Sequence, residues 1–312
     1  MPRGEHTPPF GHPSQEGSSI RLRSSPLERG GTKCRGVLIA VFTLSLAAAS
    51  AMAADWAPQL TATATWEDNV SNANRAGDQV GALRLAGSFE AGQRTGLTRE
   101  LALLYGGHLD AEGWPRFDGF DRFAAGPTVA LRYKNGLGAL APVFTLRATG
   151  GLSGARESGR AGPEGNLRLD WAQGLTDATR LSAGLALARL SAREAVFVRE
   201  GLEGSVVLAH DFDADWRLLI SARWRQGDVL SYATPPRPDL VNLARIRVNN
   251  ATFGRPMIVY SLEAHTLTGG ITLSRALNET TSLNLGAEWR ETTRVPLLYV
   301  NRLVSLGLTR QF

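Results

Sequence analysis

From about residue 58 onward the chain alternates apolar residues with polar or small ones, in segments of about ten residues that end at turn-forming residues. In one such segment Leu167, Leu169 and Trp171 alternate with Arg168 and Asp170. A period of two puts successive side chains on opposite faces of a strand, so each segment predicts a β-strand with one apolar face. This part of the sequence has no apolar run near the roughly 18 residues of a transmembrane helix.

The breaks between these segments are of two kinds. Short breaks are rich in Gly, Asn and Asp, which tolerate the positive φ angles of tight turns, and they fall at 93–96, 135–138, 174–177, 213–215 and 278–280. Longer polar breaks fall near 69–79, 109–121, 153–163, 192–198, 228–257 and 292–298. Because short and long breaks alternate, we predict twelve strands, at 59–68, 80–91, 97–108, 122–134, 139–152, 164–173, 179–191, 199–212, 216–227, 258–275, 281–291 and 299–312.

The whole pattern is typical of an all-β, up-and-down antiparallel transmembrane β-barrel with short periplasmic turns and longer extracellular loops. The longest break, 228–257, contains Pro235, Pro236 and Pro238, which disfavour a hairpin hidden inside it; such a hairpin would change the strand count by two. A loop of this length can fold inward as a constriction or stand outside the barrel. We expect the external position because it is the commoner one.

The last strand continues the alternation up to the carboxyl terminus. Its apolar face carries four residues: Val304, Leu306, Leu308 and Phe312. A final strand that ends on an aromatic residue resembles the closing strand of Gram-negative outer-membrane β-barrels, which the barrel assembly machinery reads. Arg310 departs from this pattern because it lies in the apolar phase, where its side chain can reach the headgroups. The resemblance implies an outer-membrane location, with membrane lipid and lipopolysaccharide as surroundings.

The N-terminal residues have the parts of a secretory signal. Lys33 and Arg35 precede an apolar run at 37–49, and Ala51-Met52-Ala53 forms a small-x-small cleavage site. An N-terminal anchor helix is the alternative, although the run is short for one. We therefore divide the chain into a leader or overextended gene start at 1–32, a cleaved signal peptide at 33–53 and the barrel at 54–312.

Removing residues 1–53 changes the charge of the protein. The full chain has 34 basic and 29 acidic residues, and six bases and three acids lie in 1–53, so 28 and 26 remain. The high pI of the precursor therefore does not predict nucleic-acid binding. Cys34 is the only cysteine, so the exported part has no disulfide to stabilise it, and a closed hydrogen-bonded barrel offers another source of stability.

Aromatic residues recur near the predicted strand ends, where they would form girdles at the two membrane interfaces: Trp66, Phe89, Tyr105, Tyr133, Trp171, Phe212, Trp224, Trp289 and Phe312. Charged residues instead fall in the phase opposite the leucines. Because a charge facing lipid costs about 2–4 kcal/mol at the midplane, this phase is expected to face the lumen. The candidate lumen-lining residues are Arg84, Arg132, Arg147, Arg168, Asp170, Arg217, Arg223, Arg225, Glu288 and Arg290.

These residues favour a narrow porin-like channel for small polar solutes, anions among them, because arginines on facing strands concentrate anions. The alternative is that arginines and acids pair across the lumen and plug it. The segment Trp66-Glu67-Asp68-Asn69-Val70-Ser71-Asn72-Ala73 resembles the first strand and loop of many outer-membrane barrels. Some of those belong to polysaccharide or surface-lipoprotein export, so an export or assembly barrel is the second hypothesis.

An enzyme is the third and least favoured hypothesis, and we predict no catalytic residue. His108 precedes Asp110, Asp118 and Asp121, which faintly resembles the histidine and acids at the rim of barrel proteases. His210 and His265 have no spacing that predicts a catalytic triad. The sequence shows no metal-ligand cluster and no phosphate loop, so no cofactor is predicted.

Overall fold

The computed structural model describes residues 56–213 and 215–312, so the predicted leader and signal peptide lie outside the described residues. Thirteen strands are present: β1 (Trp56–Glu67), β2 (Ala82–Gly96), β3 (Leu101–Gly113), β4 (Arg122–Lys134), β5 (Val143–Ala155), β6 (Gly162–Gly174), β7 (Thr179–Leu190), β8 (Arg199–Asp211), β9 (Trp216–Ala233), β10 (Ile246–Asn250), β11 (Met257–Asn278), β12 (Thr281–Arg294) and β13 (Leu297–Gln311). Among the described residues, helix is limited to one turn at Pro238–Val241 and four 3₁₀ turns, Ala76–Asp78, Asp118–Phe120, Ser158–Arg160 and Ala195–Phe197.

Twelve of these strands form a closed antiparallel barrel, which confirms the predicted fold class. Neighbours in sequence pair with each other, β9 pairs with β11, and β13 closes the barrel against β1. In the closing pair Thr61 lies opposite Thr309 and Trp66 lies opposite Val304. Closure satisfies the backbone groups of both edge strands, and an open sheet could not do this. The short strand β10 is not part of the wall and adds only to the end of β11.

The outside of the barrel is apolar. Many leucine and isoleucine side chains in the predicted outward phase are exposed, and six of them are 39–55% exposed: Leu83, Leu131, Leu167, Leu185, Ile220 and Leu285. A water-soluble protein of this size buries such residues, whereas a barrel in lipid presents them outward. No helix in the described residues has the length and apolar character needed to cross a membrane.

One end of the barrel, called the turn end below, carries the connections 97–100, 135–142, 175–178, 212–215 and 279–280. The opposite loop end carries 68–81, 114–121, 156–161, 191–198, 234–256 and 295–296. Two predicted breaks were wrong. The turn predicted at 93–96 is part of β2, and the loop predicted at 292–298 is a two-residue turn because β12 and β13 stay paired to Arg294 and Leu297. Short and long connections therefore do not alternate without exception.

Several predicted girdle aromatics lie farther from strand ends than expected. Trp66, Tyr105, Tyr133, Phe212, Trp224 and Trp289 are 40–59% exposed. Phe89 lies within the longer β2 and is buried with Leu60 and Ala91, where Phe312 also packs. Trp224 and Trp289 likewise lie inside β9 and β12. The placement at strand ends was wrong for these residues because the strands extend beyond the predicted breaks.

Candidate functional site

Strands β9 and β11 extend beyond the rest of the wall at the loop end. Pairing of β8 with β9 ends at Gly201 and Gly227, whereas pairing of β9 with β11 continues to Ala233 and Ile258. Residues 228–233 and 257–263 thus form a ribbon with no neighbour on the β8 side, and β10 pairs with residues 257–261 on its other edge. Residues 228–257 were predicted to be one external loop, and residues 258–263 were predicted to be the start of the strand at 258–275.

A glycine marks the point where the ribbon leaves the wall. Gly227 has a φ of +157°, and a Cβ on this residue would lie 2.2 Å from the carbonyl oxygen of Glu200. The next residue, Asp228, accepts a 3.0 Å hydrogen bond through its carboxylate from the backbone N–H of Glu200. The Asp228 side chain thus replaces the ladder partner that Glu200 loses where the strands separate.

Both faces of the ribbon are buried. On the face that continues the lumen side of β11, Tyr260 and Leu262 pack with Leu240, Leu297 and Tyr299. The opposite face packs against residues from two other connections and from the ribbon's own: Leu230, Tyr232 and Val259 belong to one cluster with Trp114, Phe117, Phe197 and Phe253. An external loop would expose at least one of these faces. The preference for an external position was therefore wrong, and the ribbon fills the mouth of the barrel.

A buried arginine links the ribbon connection to the first loop. The Arg237 side chain is 0% exposed and donates hydrogen bonds to Asp239 (2.9 and 2.7 Å), Asn74 (2.6 Å) and Asp78 (3.3 Å). The backbone N–H of Thr234 also donates a hydrogen bond to the Asp78 carboxylate, at 3.1 Å. Hydrogen bonding to Arg237 lowers the pKa of Asp239 to about 2, and bonding to Asp239 raises the pKa of Arg237. The pair therefore stays charged at physiological pH.

The first loop holds the ribbon through its backbone as well. Tyr232 donates its N–H to the carbonyl of Ser71 at 2.8 Å, and the Ser231 hydroxyl donates to the carbonyl of Asn72 at 2.8 Å. The Asn72 side chain, at a positive φ of 48°, donates to the carbonyl of Leu230 at 3.0 Å. The segment 66–73 that resembles other barrels thus acts here as the support for the closed mouth.

Asn69 and Asn301 fix the shape of that support. Asn69 accepts the N–H of Ala73 and the hydroxyl of Ser71, both at 3.0 Å. Asn301 on β13 donates to Glu67 at 2.6 Å and to the carbonyl of Asn69 at 2.8 Å. These amides are nearly inaccessible, so they satisfy backbone groups that the folded loop would otherwise leave unpaired.

Beneath the ribbon lies a cavity of about 410 Å³, called the upper cavity below. Its roof is formed by apolar and aromatic residues, among them Trp114, Phe120, Phe197, Leu230 and Tyr232. Its wall carries charged residues, among them Glu67, Arg84, Glu112, Arg122, Arg199, Glu203, Arg223, Arg225 and Arg290. The upper cavity is therefore apolar above and charged at its sides.

Many of these charges are paired. Arg84 and Arg122 reach Glu112 at 3.9 and 3.8 Å, and Arg122 also pairs with Glu164. Further pairs along the barrel are Arg223–Glu288 (2.8 Å), Arg290–Glu67 (3.5 Å), Arg147–Glu90 (2.9 Å), Arg168–Asp170 (2.7 Å) and Arg217–Asp211 (3.0 Å). Partly exposed pairs stabilise a fold by only about 0–1 kcal/mol each. Their main consequence is to neutralise charge locally.

Two arginines of the upper cavity lack a carboxylate partner. Arg199 forms no ion pair with any residue in the described part of the chain, and its charge lies near those of Arg122, Arg160 and Arg225. Arg225 donates only to the backbone carbonyl of Asp228, at 3.3 Å. The cavity wall thus has a local excess of positive charge.

Near the turn end a second cavity of about 300 Å³, called the lower cavity below, is lined by Arg132, Arg147 and Arg180. Arg147 is paired with Glu90. Arg132 and Arg180 are exposed and have no ion-pair partner within residues 56–213 and 215–312. Connections at this end are short, and the apolar clusters that cover the loop end have no equivalent among the described turn-end residues.

The structure distributes the predicted lumen residues over these cavities. Arg84, Arg223, Arg225 and Arg290 line the upper cavity, and Arg132 and Arg147 line the lower one. The prediction missed residues at strand ends that were assigned to loops or left unassigned: Glu67, Glu112, Arg122, Glu164, Arg180 and Arg199. Only Glu112 lies in a predicted break, and the other five lie at the ends of predicted strands. Applying the two-residue period to the whole of each strand, and past residue 108 for Glu112, would have found them.

The histidines do not assemble with the loop acids. His108 lies 3.9 Å from Asp110, but Asp118 pairs with Arg156 and Asp121 accepts the N–H of Trp114. Two other histidines have simple surroundings: His210 contacts Thr179, and His265 stacks on Trp224. No group of three or more potential ligands is placed to hold a metal ion among the residues described.

Taken with its apolar exterior, the closed twelve-stranded barrel has the porin-like fold of outer-membrane β-barrels. An outer-membrane channel from Pseudomonas putida F1 is similar at a TM-score of 0.54 and 10% identity, over 84% of this chain and 97% of that chain. The NanC porin is less similar, at a TM-score of 0.45 and 6% identity, over 81% of this chain and 100% of that chain. The β domain of the Bordetella autotransporter BrkA has a TM-score of 0.43 and 12% identity, over 82% of this chain and 99% of that chain. No protein-family model and no curated protein matches the sequence.

Proposed function

We propose that the protein is a narrow, gated channel of the Gram-negative outer membrane for small polar solutes, with a preference for anions. The turn end would face the periplasm and the loop end the outside, as in barrels with short periplasmic turns. Export through a cleaved signal peptide, assembly by the barrel machinery and contact with lipopolysaccharide belong to the same proposal.

The observation that carries the anion preference is the set of arginines without carboxylate partners at two levels of the barrel. Arg199 and Arg225 line the upper cavity, and Arg132 and Arg180 line the lower one. Paired charges cancel, whereas unpaired guanidinium groups in a confined lumen lower the energy of an anion and raise that of a cation. Solute flow would require the ribbon to move, because the apolar clusters cover the loop end.

Planar-bilayer recording of the purified, refolded protein tests this proposal. We expect discrete single-channel openings. In a salt gradient we expect a reversal potential whose sign shows that the channel is more permeable to anions than to cations. A protein that inserts as a barrel but conducts at no voltage and in no salt would refute the channel. Equal permeability to potassium and chloride would leave a channel without the proposed preference.

A second candidate is an export or assembly component that works beside partner proteins. The closed mouth favours it, as do three ion pairs between strands: Arg84–Glu112 joins neighbouring strands, and Arg223–Glu288 and Arg290–Glu67 each reach across one intervening strand. Such a component would remain non-conducting by itself and would be recovered from the envelope with its partners after cross-linking. We propose no enzymatic activity.

A further inference from the structure

The upper cavity continues sideways into a smaller one of about 220 Å³. Four residues line both spaces: Arg122, Leu190, Arg199 and Arg225. Any solute held in either space would therefore contact these side chains. This junction is the part of the lumen where unpaired positive charge and apolar surface lie side by side.

The polar side of the junction has guanidinium donors without protein acceptors. Arg199 has no acceptor in the described part of the protein, and Arg225 has one weak backbone acceptor at 3.3 Å. Guanidinium groups have no acceptor atoms, so these donors bind water or an acceptor group of a solute, and the acceptor that they match best is an oxyanion.

The apolar side of the junction is built from Leu190, Leu230 and Phe197. Arg160 stabilises this side because its guanidinium lies 4.2 Å from the ring centroid of Phe197 and 4.7 Å from that of Phe120. Arg160 is itself paired with Glu157 at 2.7 Å, so its charge is already balanced. A fully hydrated inorganic ion would gain nothing from these residues, whereas an organic anion would bury apolar surface against them.

We propose that Arg199 and Arg225 bind the carboxylate of a small organic acid whose apolar body packs against Leu190, Leu230 and Phe197. This inference deepens the proposed channel function and rests on it, since it names a solute class for the same lumen. The size of the upper cavity agrees with a ligand of about ten non-hydrogen atoms, because small-molecule sites usually start near 300 Å³.

Benzoate is the probe for this site, and isothermal titration of the refolded full chain is the measurement. We expect benzoate to bind, and Arg199→Gln to weaken its binding by about 10- to 100-fold, as for a lost charge-assisted hydrogen bond. Arg225→Gln should weaken it by a similar or smaller factor. Arg199→Lys should restore part of the affinity, because it keeps the charge and loses the planar donor pair.

Arg302→Gln is the matched control. It removes the same charge from β13, where the residue is exposed and lies opposite the outward-facing Trp289. Benzoate affinity should not change in this variant. Benzyl alcohol keeps the aromatic ring but lacks the carboxylate, so it tests the need for the negative charge. Chloride and inorganic phosphate keep the negative charge but lack an apolar body, so they test the need for apolar contact. The proposal is overturned if any of these three binds as tightly as benzoate, or if Arg199→Gln and Arg302→Gln behave alike while both retain the β circular-dichroism spectrum.

Failure of the site and failure of the channel can be told apart. Benzoate binding that depends on Arg199 in a protein that never conducts would support the site and refute the channel. Anion-selective conductance without Arg199-dependent benzoate binding would support the channel and refute the site.

Discussion

The two ends of this barrel differ in how far their strands extend and in how much of the lumen they cover. At the loop end β9 and β11 run on past the wall, turn inward at Gly227 and are buried on both faces. At the turn end the strands stop at short connections, and exposed Arg132 and Arg180 face a cavity. The difference shows that closure here does not come from the barrel itself, which is wide enough to hold two cavities, but from two strands that are longer than the rest.

Shortening the ribbon should have the largest effect. Asp228 and Glu263 are cross-strand partners, so replacing residues 229–262 with Asn-Gly would close the hairpin at that pair. Removing both apolar clusters from the mouth should abolish the closed state and raise single-channel conductance at least about tenfold, by pore-size arguments. A β spectrum like that of the unmodified protein would show that the barrel is intact. Unchanged conductance would mean that the constriction lies elsewhere.

Breaking the link between the ribbon connection and the first loop should have the next largest effect. Arg237→Gln leaves Asp78 and Asp239 without their shared partner, and breaking a buried pair costs about 3–5 kcal/mol. If half of this cost falls on the closed state, open probability should rise about tenfold or more. Single-channel recordings measure it directly. Arg247→Gln, on an exposed arginine of the same connection that does not contact the first loop, is the control and should behave as the unmodified protein does.

Forcing a side chain into the bend tests the position of the hinge. Gly227→Val introduces a Cβ within 2.2 Å of the Glu200 carbonyl and an unfavourable positive φ, which together cost about 1–3 kcal/mol. More frequent openings are expected. Gly269→Val on β11 is the matched substitution, because a Cβ there has no atom within 4 Å. Equal behaviour of the two variants would show that the ribbon does not pivot at Gly227.

Ion selectivity should respond to unpaired arginines more than to paired ones. Arg225→Glu replaces a charge that has no carboxylate partner, so the reversal potential should move clearly towards cations. Arg223→Glu would instead repel its former partner Glu288, and part of its effect should appear as lost stability. Arg132→Glu should resemble Arg225→Glu in direction. Identical reversal potentials for all three variants and the unmodified channel would remove the assigned role of these residues.

Low pH should have the smallest effect. Because the pKa of Asp239 is lowered to about 2 from its ordinary value of 3.8, its contribution to closure is complete above about pH 4 and is lost as the pH falls through about 2. Openings should therefore stay constant from pH 8 to 5 and increase only below about 4. In Asp239→Asn that part of the pH response should be missing. A response centred near pH 6 would point to a histidine instead.

Much of the architecture was accessible from the sequence because a two-residue period has one structural meaning over ten or more residues. The two-residue period predicted the strands of the wall, the barrel fold and the lumen-facing side of the strands, which carries Arg84 and Arg223. It did not extend β9 through residues 228–233, because these residues are apolar or polar on both faces and look like the start of an irregular loop. The other half of the ribbon, residues 258–263, was assigned to a strand but not to the mouth. Two-sided burial depends on partners such as Phe197 and Tyr299, which are distant in sequence.

The lumen residues show the same limit. Alternation indicates which side of the wall Arg199 and Arg225 occupy, but it does not indicate which arginines find a carboxylate. Arg223 on β9 pairs with Glu288 on β12 because both strands pair with β11, and the registers of those two pairings place the side chains close together. Arg237 lies in a connection without any period, so nothing in the local sequence marked it as the residue that joins two loops.

Accessibility of single cysteines tests the difference between the two ends most directly. The described residues contain no cysteine, so Thr268→Cys in the upper cavity and Thr145→Cys in the lower one can each be followed with a bulky maleimide. Thr268 is 6% exposed beneath the ribbon. We predict fast modification at residue 145, slow modification at residue 268, and fast modification at both when residues 229–262 are replaced. The protein compared begins at residue 54, so it lacks Cys34, and it keeps residues 229–262. If residue 268 in this protein is modified as fast as residue 145, the outer mouth is not closed.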